Sequence, residues 1–112
     1  MPKLDEAKVR SDFSQAVNMS AVELRAWLET DESRKVGFKR NGASESVGHA
    51  SGRRIVALLG KKQADLTADD YAHMRKVVGY VRRHLAQRPQ NIYTSRWRYS
   101  LMNWGHDPTK EA

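Results

Sequence analysis

The residues of this 112-residue chain with the chemistry to act on a partner are four histidines and twenty lysines and arginines, with three tryptophans beside them. The histidines do not form a metal signature. His73 and His84 are eleven residues apart, so they would share a helix face about three turns apart, too far for one ion. His49 and His106 have no spaced partner. The chain has no cysteine, which removes disulfides and thiolate metal sites. Ser46, His49 and Ser51 hold a hydroxyl nucleophile and a base close together in sequence, but closeness in the chain is not the geometry of a triad. No G-x-x-x-x-G-K-[ST] or G-x-G-x-x-G loop is present. Gly48 and Gly52 open a helix beside Arg53 and Arg54, and free amides there leave an anion at that terminus open. The sequence thus predicts no catalytic residue, no metal and no cofactor, and a non-enzymatic function.

The cations are the stronger signal. Residues 1–33 carry four basic and seven acidic side chains, a balance of −3, whereas residues 34–112 carry sixteen basic and six acidic, a balance of +10. The whole chain has a formal charge of +7. Such asymmetry is the footprint of a polyanionic partner. Arg75 and Arg82 are seven residues apart, as are Lys76 and Arg83 and also Arg54 and Lys61. On a helix that spacing aligns each pair on one side, about 10 Å apart. Arg53 and Lys62 extend the second cluster, and Arg96 and Arg98 flank Trp97. Few asparagines or glutamines accompany these arginines, and the spacing between the helices that carry them is too long for a helix-turn-helix. The pattern favours sequence-tolerant contacts to a phosphate backbone over base reading. The expected partner is nucleic acid, DNA rather than RNA. A protein-interaction module using the acidic N-terminal third is the alternative, and self-association is left open.

These clusters need helices to position them. Val9, Phe13, Ala16 and Val17 predict a first helix from Asp5 to Val17, broken at Asn18. Ser20 and Glu23 form a capping box for a second helix carrying Leu24, Trp27 and Leu28. Residues 31–46 read as a long basic loop loosened by Gly37 and Gly42. A third helix starts at Ser44 or Ser46 and ends at Gly60, with Ile55, Leu58 and Leu59 inward. A fourth runs from Thr67 to Pro89, its acids early and its cations late, with a seam of Tyr71, Met74, Val78, Val81 and Leu85. A fifth runs from Thr94 to Trp104, with Trp97, Leu101 and Trp104 on one face and Gly105 as C-cap. Core packing is expected of the three tryptophans. Tyr99, off that face, is the better candidate to stack on a base.

The fold class predicted is all-α: one domain over residues 1–112, about five helices with the fourth central, and a short flexible tail from 106 to 112. At 39% hydrophobic and 29% charged the chain has the composition of a globular protein. No apolar run reaches the roughly 18 residues of a membrane span, and the N-terminus lacks a signal-peptide core. A cytoplasmic protein without a membrane partner is expected, nucleoid-associated if it binds DNA.

The segments Glu45-Ser46-Val47-Gly48-His49-Ala50-Ser51-Gly52-Arg53, His73-Met74-Arg75-Lys76-Val77 and Trp97-Arg98-Tyr99-Ser100-Leu101-Met102-Asn103-Trp104-Gly105-His106-Asp107-Pro108 resemble a domain-of-unknown-function family. Its members are small bacterial and fungal proteins, sometimes labelled DNA-binding. The resemblance also takes in Val17-Asn18-Met19-Ser20 and Trp27-Leu28. It implies nothing about catalytic chemistry.

Overall fold

Local capping chemistry sets where each helix begins. In the computed structural model, which describes residues 5–39 and 41–110, six α-helices follow one another: α1 (Glu6–Ala16), α2 (Ala21–Leu28), α3 (Asp31–Lys35), α4 (Val47–Leu59), α5 (Ala68–Leu85) and α6 (Arg96–Asn103). Each is preceded by a residue whose side-chain oxygen accepts the amide three positions on: Asp5, Ser20, Thr30, Ser46, Thr67 and Ser95. That bond satisfies one of the donors a helix start leaves without a partner. The caps of α2 and α5 are reciprocal boxes, Ser20 with Glu23 and Thr67 with Asp70. Among the described residues there is no strand, only an isolated antiparallel bridge between Lys39 and Ser46. The molecule is all-α.

One core joins the helices. Val9 and Phe13 of α1, Leu24 and Leu28 of α2, Ile55 and Leu58 of α4 and Trp97 and Leu101 of α6 are buried with a row from α5. That row is Tyr71, Met74, Val77, Val78 and Val81, so the seam is wider than a heptad by Val77, while Leu85 is only half-buried. The 18-residue α5 is the longest element, and α1 packs along it. The centre is shared, however: the short α6 touches α2, α3, α4 and α5.

Two segments differ from the sequence reading. Residues 31–46 are not one irregular loop. Asp31–Lys35 is a helix capped by Thr30, Val36 is buried, and Phe38 O accepts from Val47 N at 2.8 Å. Arg40 lies outside the described residues. The positive φ of Gly37 (94°) and Gly42 (75°) lets the chain fold back. Residues 106–110, the expected start of a flexible tail, are packed. His106, Asp107 and Pro108 are buried. His106 Nδ1 donates to Ala16 O at 2.7 Å, and Asn18 brackets Asp107, accepting from its amide at 2.7 Å and donating to its carbonyl at 3.0 Å. Asn18 interrupts the helices by tying the far end of the chain to their junction.

Gly52 shows why α4 begins with glycines. A Cβ there would lie 2.6 Å from Asn103 O and 2.7 Å from Leu28 Cδ2. Helix propensity alone favours Gly52→Ala by about 1 kcal/mol. Overpacking against a backbone carbonyl that cannot rotate away costs roughly 1–3 kcal/mol or more. We expect a net loss, read as a lower midpoint in urea. An unchanged midpoint would show that α4 and α6 are not in this close contact.

Candidate nucleic-acid interface

Folding divides the ten predicted cations into two classes. Five are held by carboxylates. Arg53 Nε donates to Glu45 at 2.8 Å. Lys61 and Arg54 converge on Asp70, at 2.6 and 3.5 Å. Arg82 reaches Asp12 at 3.4 Å. Arg98 is half-buried and donates to both oxygens of Asp107 at 3.2 Å, to Tyr93 O at 2.7 Å and to Thr109 Oγ1 at 3.3 Å. Its donors close the end of the chain, so it is not free for a phosphate. The carboxylates respond: Glu45 is held down to about 2, chiefly by Arg53 with help from His49, and Asp70 is lowered well below the usual range by Lys61 and the Thr67 amide. Asp70 lies too early in α5 to offset that helix's own cations, and it neutralises those of α4 and its exit instead. The other five, Lys62, Arg75, Lys76, Arg83 and Arg96, are exposed, and no carboxylate of the described residues lies within 4.0 Å of them.

The two seven-residue columns of α5 have different surroundings. Arg75 and Arg82 border a cleft against α1 that also holds Asp5 and Asp12. Lys76 and Arg83 border a groove of about 280 Å³ formed with Gly37, Phe38, Val47, Gly48, Tyr80, Ser100, Asn103 and Trp104. No carboxylate of the described residues lines that groove. The Arg83 guanidinium lies over Gly79, where a Cβ would come within 3.0 Å of Nη1. Trp97 Nε1 donates to His84 O at 2.6 Å, which places neighbouring Arg96 at the same end of α5 as Arg83.

Aromatic rings form the wall between α5 and α6. Trp104 stacks on Tyr80 with ring centres 4.3 Å apart. Tyr80 stacks on His84 at 5.1 Å, and His73 and Trp97 extend the column at either end at 6.2 Å. The tryptophans therefore pack, as their spacing predicts, with Trp27 half-buried. Tyr99 is not the free platform expected of it: it is half-buried against Trp27 at 5.4 Å. The exposed aromatic beside the groove is Phe38, at 73%.

The histidines serve packing and polar bonding. His49 faces acceptors at both ring nitrogens, Glu45 and Leu28 O. Ser46 caps α4, and Ser51 Oγ and His73 Nε2 share a hydrogen bond of 2.9 Å. Among the described residues no carboxylate bonds to His73 to orient it as a triad would, and no group of three or more His, Cys, Asp or Glu could hold a metal. Burial, with Arg54 and Lys76 nearby, lowers His73 to about 4. Burial also lowers His84. A histidine neutral in the fold takes up a proton first in the unfolded chain, where it titrates near about 6.5. The stability it contributes is present above that value and is lost as pH falls toward 4. The thermal midpoint should therefore drop between about pH 6.5 and 4, and His73→Gln should flatten that drop in part, with His84 and, toward the acid end, the lowered carboxylates Glu45 and Asp70 supplying the remainder. The same slope in wild type and variant would show that His73 titrates normally in the fold.

A family described as "Protein of unknown function (DUF3140)" matches residues 12–102. The chain belongs to this family. The matched region takes in the end of α1 from Asp12, α2 to α5, and α6 through Met102, hence all five predicted cations without a carboxylate partner among the described residues. No curated protein and no solved structure matches the chain. Among the described residues no helix is long and apolar enough to cross a membrane.

Sequence reasoning did not find Phe38, Gly48 and Trp104 as groove residues. Gly48, four before Gly52, carried a signal of close approach. Phe38, a single aromatic among Lys35, Lys39 and Arg40, was readable only as part of a basic loop.

Proposed function

We propose that the protein binds nucleic acid, DNA in preference to RNA, through its phosphate backbone and without base-specific readout. The observation that carries this reading is the groove where Lys76 and Arg83 stand with no carboxylate of the described residues in the lining. Cations already bonded to Asp, Glu or backbone gain little from a phosphate. Unpaired ones release the counterions condensed on the polymer. The face centres on Lys76 and Arg83 and extends to Arg96 at the same end of α5, whereas Arg75, though unpaired, borders the separate cleft against α1. The alternative of an acidic protein-binding surface draws less support, because Asp12, Glu23 and Glu29 are spent on Lys8 and Arg82, on Lys110 and on Arg34.

The test is a salt titration of binding to duplex DNA, with single-stranded DNA and RNA alongside. Log affinity should fall linearly with log salt, at roughly −0.9 per phosphate contact on a duplex. Lys76→Gln with Arg83→Gln should weaken all sequences alike and flatten the slope by up to about 2 units. Arg53→Gln with Lys61→Gln removes as much charge from paired positions and should change the slope much less. Equal effects of the two double variants would make net charge, and not this face, the determinant. No salt-sensitive binding to any of the three polymers at low ionic strength would end the nucleic-acid reading.

A further inference from the structure

The geometry points to a seat for a single phosphate in the groove, built from the Trp104 indole N–H and the Gly48 amide, with Lys76 and Arg83 as counterions. Two observations meet there. The first is the start of α4, a helix of 13 residues. Its Val47 amide donates to Phe38 O and its His49 amide to Ser46 Oγ. The Gly48 amide, between them, has no acceptor among the described residues, and a first-turn amide carries the positive end of the helix dipole. The second is Trp104. It is 4% exposed, yet its Nε1–H has no acceptor among the described residues, whereas Trp27 Nε1 donates to Asn103 and Trp97 Nε1 to His84 O. Nor is it sealed in: Trp104 lines the groove beside Gly48. A Cβ on residue 48 would stand 3.0 Å from Nε1, so glycine is what leaves the indole edge and the amide open together.

Donors of this kind, fixed by packing and facing a helix N-terminus, suit a phosphoryl oxygen. Stacking between Tyr80 and His73 holds the indole plane while its N–H edge stays free. Lys76 and Arg83 supply charge without a competing acid, and the exposed Phe38 offers a flat face to a base attached to that phosphate. The ligand is thus the phosphate of a nucleotide unit, free or within a strand. The seat belongs to the phosphate-binding face proposed above but can fail separately from it.

The experiment follows the indole N–H signals of the ¹⁵N-labelled full chain, with Trp104 assigned from the signal lost in Trp104→Phe. Inorganic phosphate, AMP and a short single-stranded oligonucleotide are the probes. The Trp104 signal should move on titration while those of Trp27 and Trp97, already bonded inside the protein, stay in place. Movement with all three probes supports the seat, and movement with the oligonucleotide alone supports it and assigns the strand as source. Movement with phosphate and AMP alone keeps the seat and removes the polymer. Gly48→Ala, which helix propensity should tolerate, narrows the seat and should weaken the response about tenfold or more, in line with loss of a hydrogen bond to a charged group. Trp104→Phe keeps an aromatic ring without the donor and should weaken oligonucleotide binding similarly. A Trp104 signal indifferent to every probe would overturn the seat, even where Lys76→Gln with Arg83→Gln still lowers strand affinity. So would Gly48→Ala and Trp104→Phe proteins that bind like wild type.

Discussion

Asn103→Ala is expected to cost more than about 3 kcal/mol of folding stability, since three polar groups lose their partner at once. Asn103 is 1% exposed. Its Oδ1 accepts from Trp27 Nε1 at 2.8 Å and from Ser33 Oγ, and its Nδ2 donates to Ser33 O at 3.0 Å. One side chain of α6 thereby satisfies groups on α2 and α3. An orphaned buried donor or acceptor costs roughly 1–3 kcal/mol, and Ser33 is fully buried. Against a total of about 5–15 kcal/mol for an ordinary domain, the variant should be largely destabilised at physiological temperature. Urea unfolding is the measurement. Ser33→Ala removes one of the same bonds, that of Ser33 Oγ, and keeps the carbonyl that accepts from Asn103 Nδ2, so the two losses should overlap and the double variant should fall short of their sum. A loss below about 1 kcal/mol in Asn103→Ala would mean that water takes over the three bonds.

Local signals were legible in the sequence and long-range pairings were not. The caps at Ser20 and Thr67, the choice of Ser44 or Ser46 for α4, the stop at Gly60 and the apolar faces of five helices depend on neighbours within about one turn. A basic stripe is equally local, so Lys76 and Arg83 could be placed on one side of α5 without a structure. Which cations stay free is another matter. Arg82 finds Asp12 and Arg98 finds Asp107 only because α1 packs on α5 and the chain end folds back. Asp70 serves Arg54 and Lys61 from another helix. Half of the predicted site was thus consumed by contacts that no spacing rule reports. The hidden helix Asp31–Lys35 shows the same limit. Its five residues bury only Ser33, too little for an apolar period to appear, and Asn103 holds it in place from 70 residues away.

Trp104→Ala is expected to cost roughly 3–5 kcal/mol, the range for emptying a buried aromatic position, and to unfold the protein at modest temperature. Trp104 is 4% exposed and stands between Tyr80 and His73 in the column that joins α5 to α6. Removing it deletes two ring contacts, of which the tight one at 4.3 Å should add about 0.5–1.5 kcal/mol beyond area alone. It also leaves a void beside Gly48, whose missing Cβ cannot fill it. Trp104→Phe should lose much less, because a ring remains to stack on Tyr80. Comparing the two variants separates two properties of one side chain. The indole face is a packing surface, and its loss should appear in urea and thermal unfolding with nothing bound. The indole edge carries only an N–H turned to the groove, and its loss should leave unfolding nearly unchanged while lowering affinity for phosphate-bearing ligands. A Trp104→Ala protein that folds like wild type but no longer binds nucleic acid would reverse the assignment, making the ring itself a stacking surface and not part of the core.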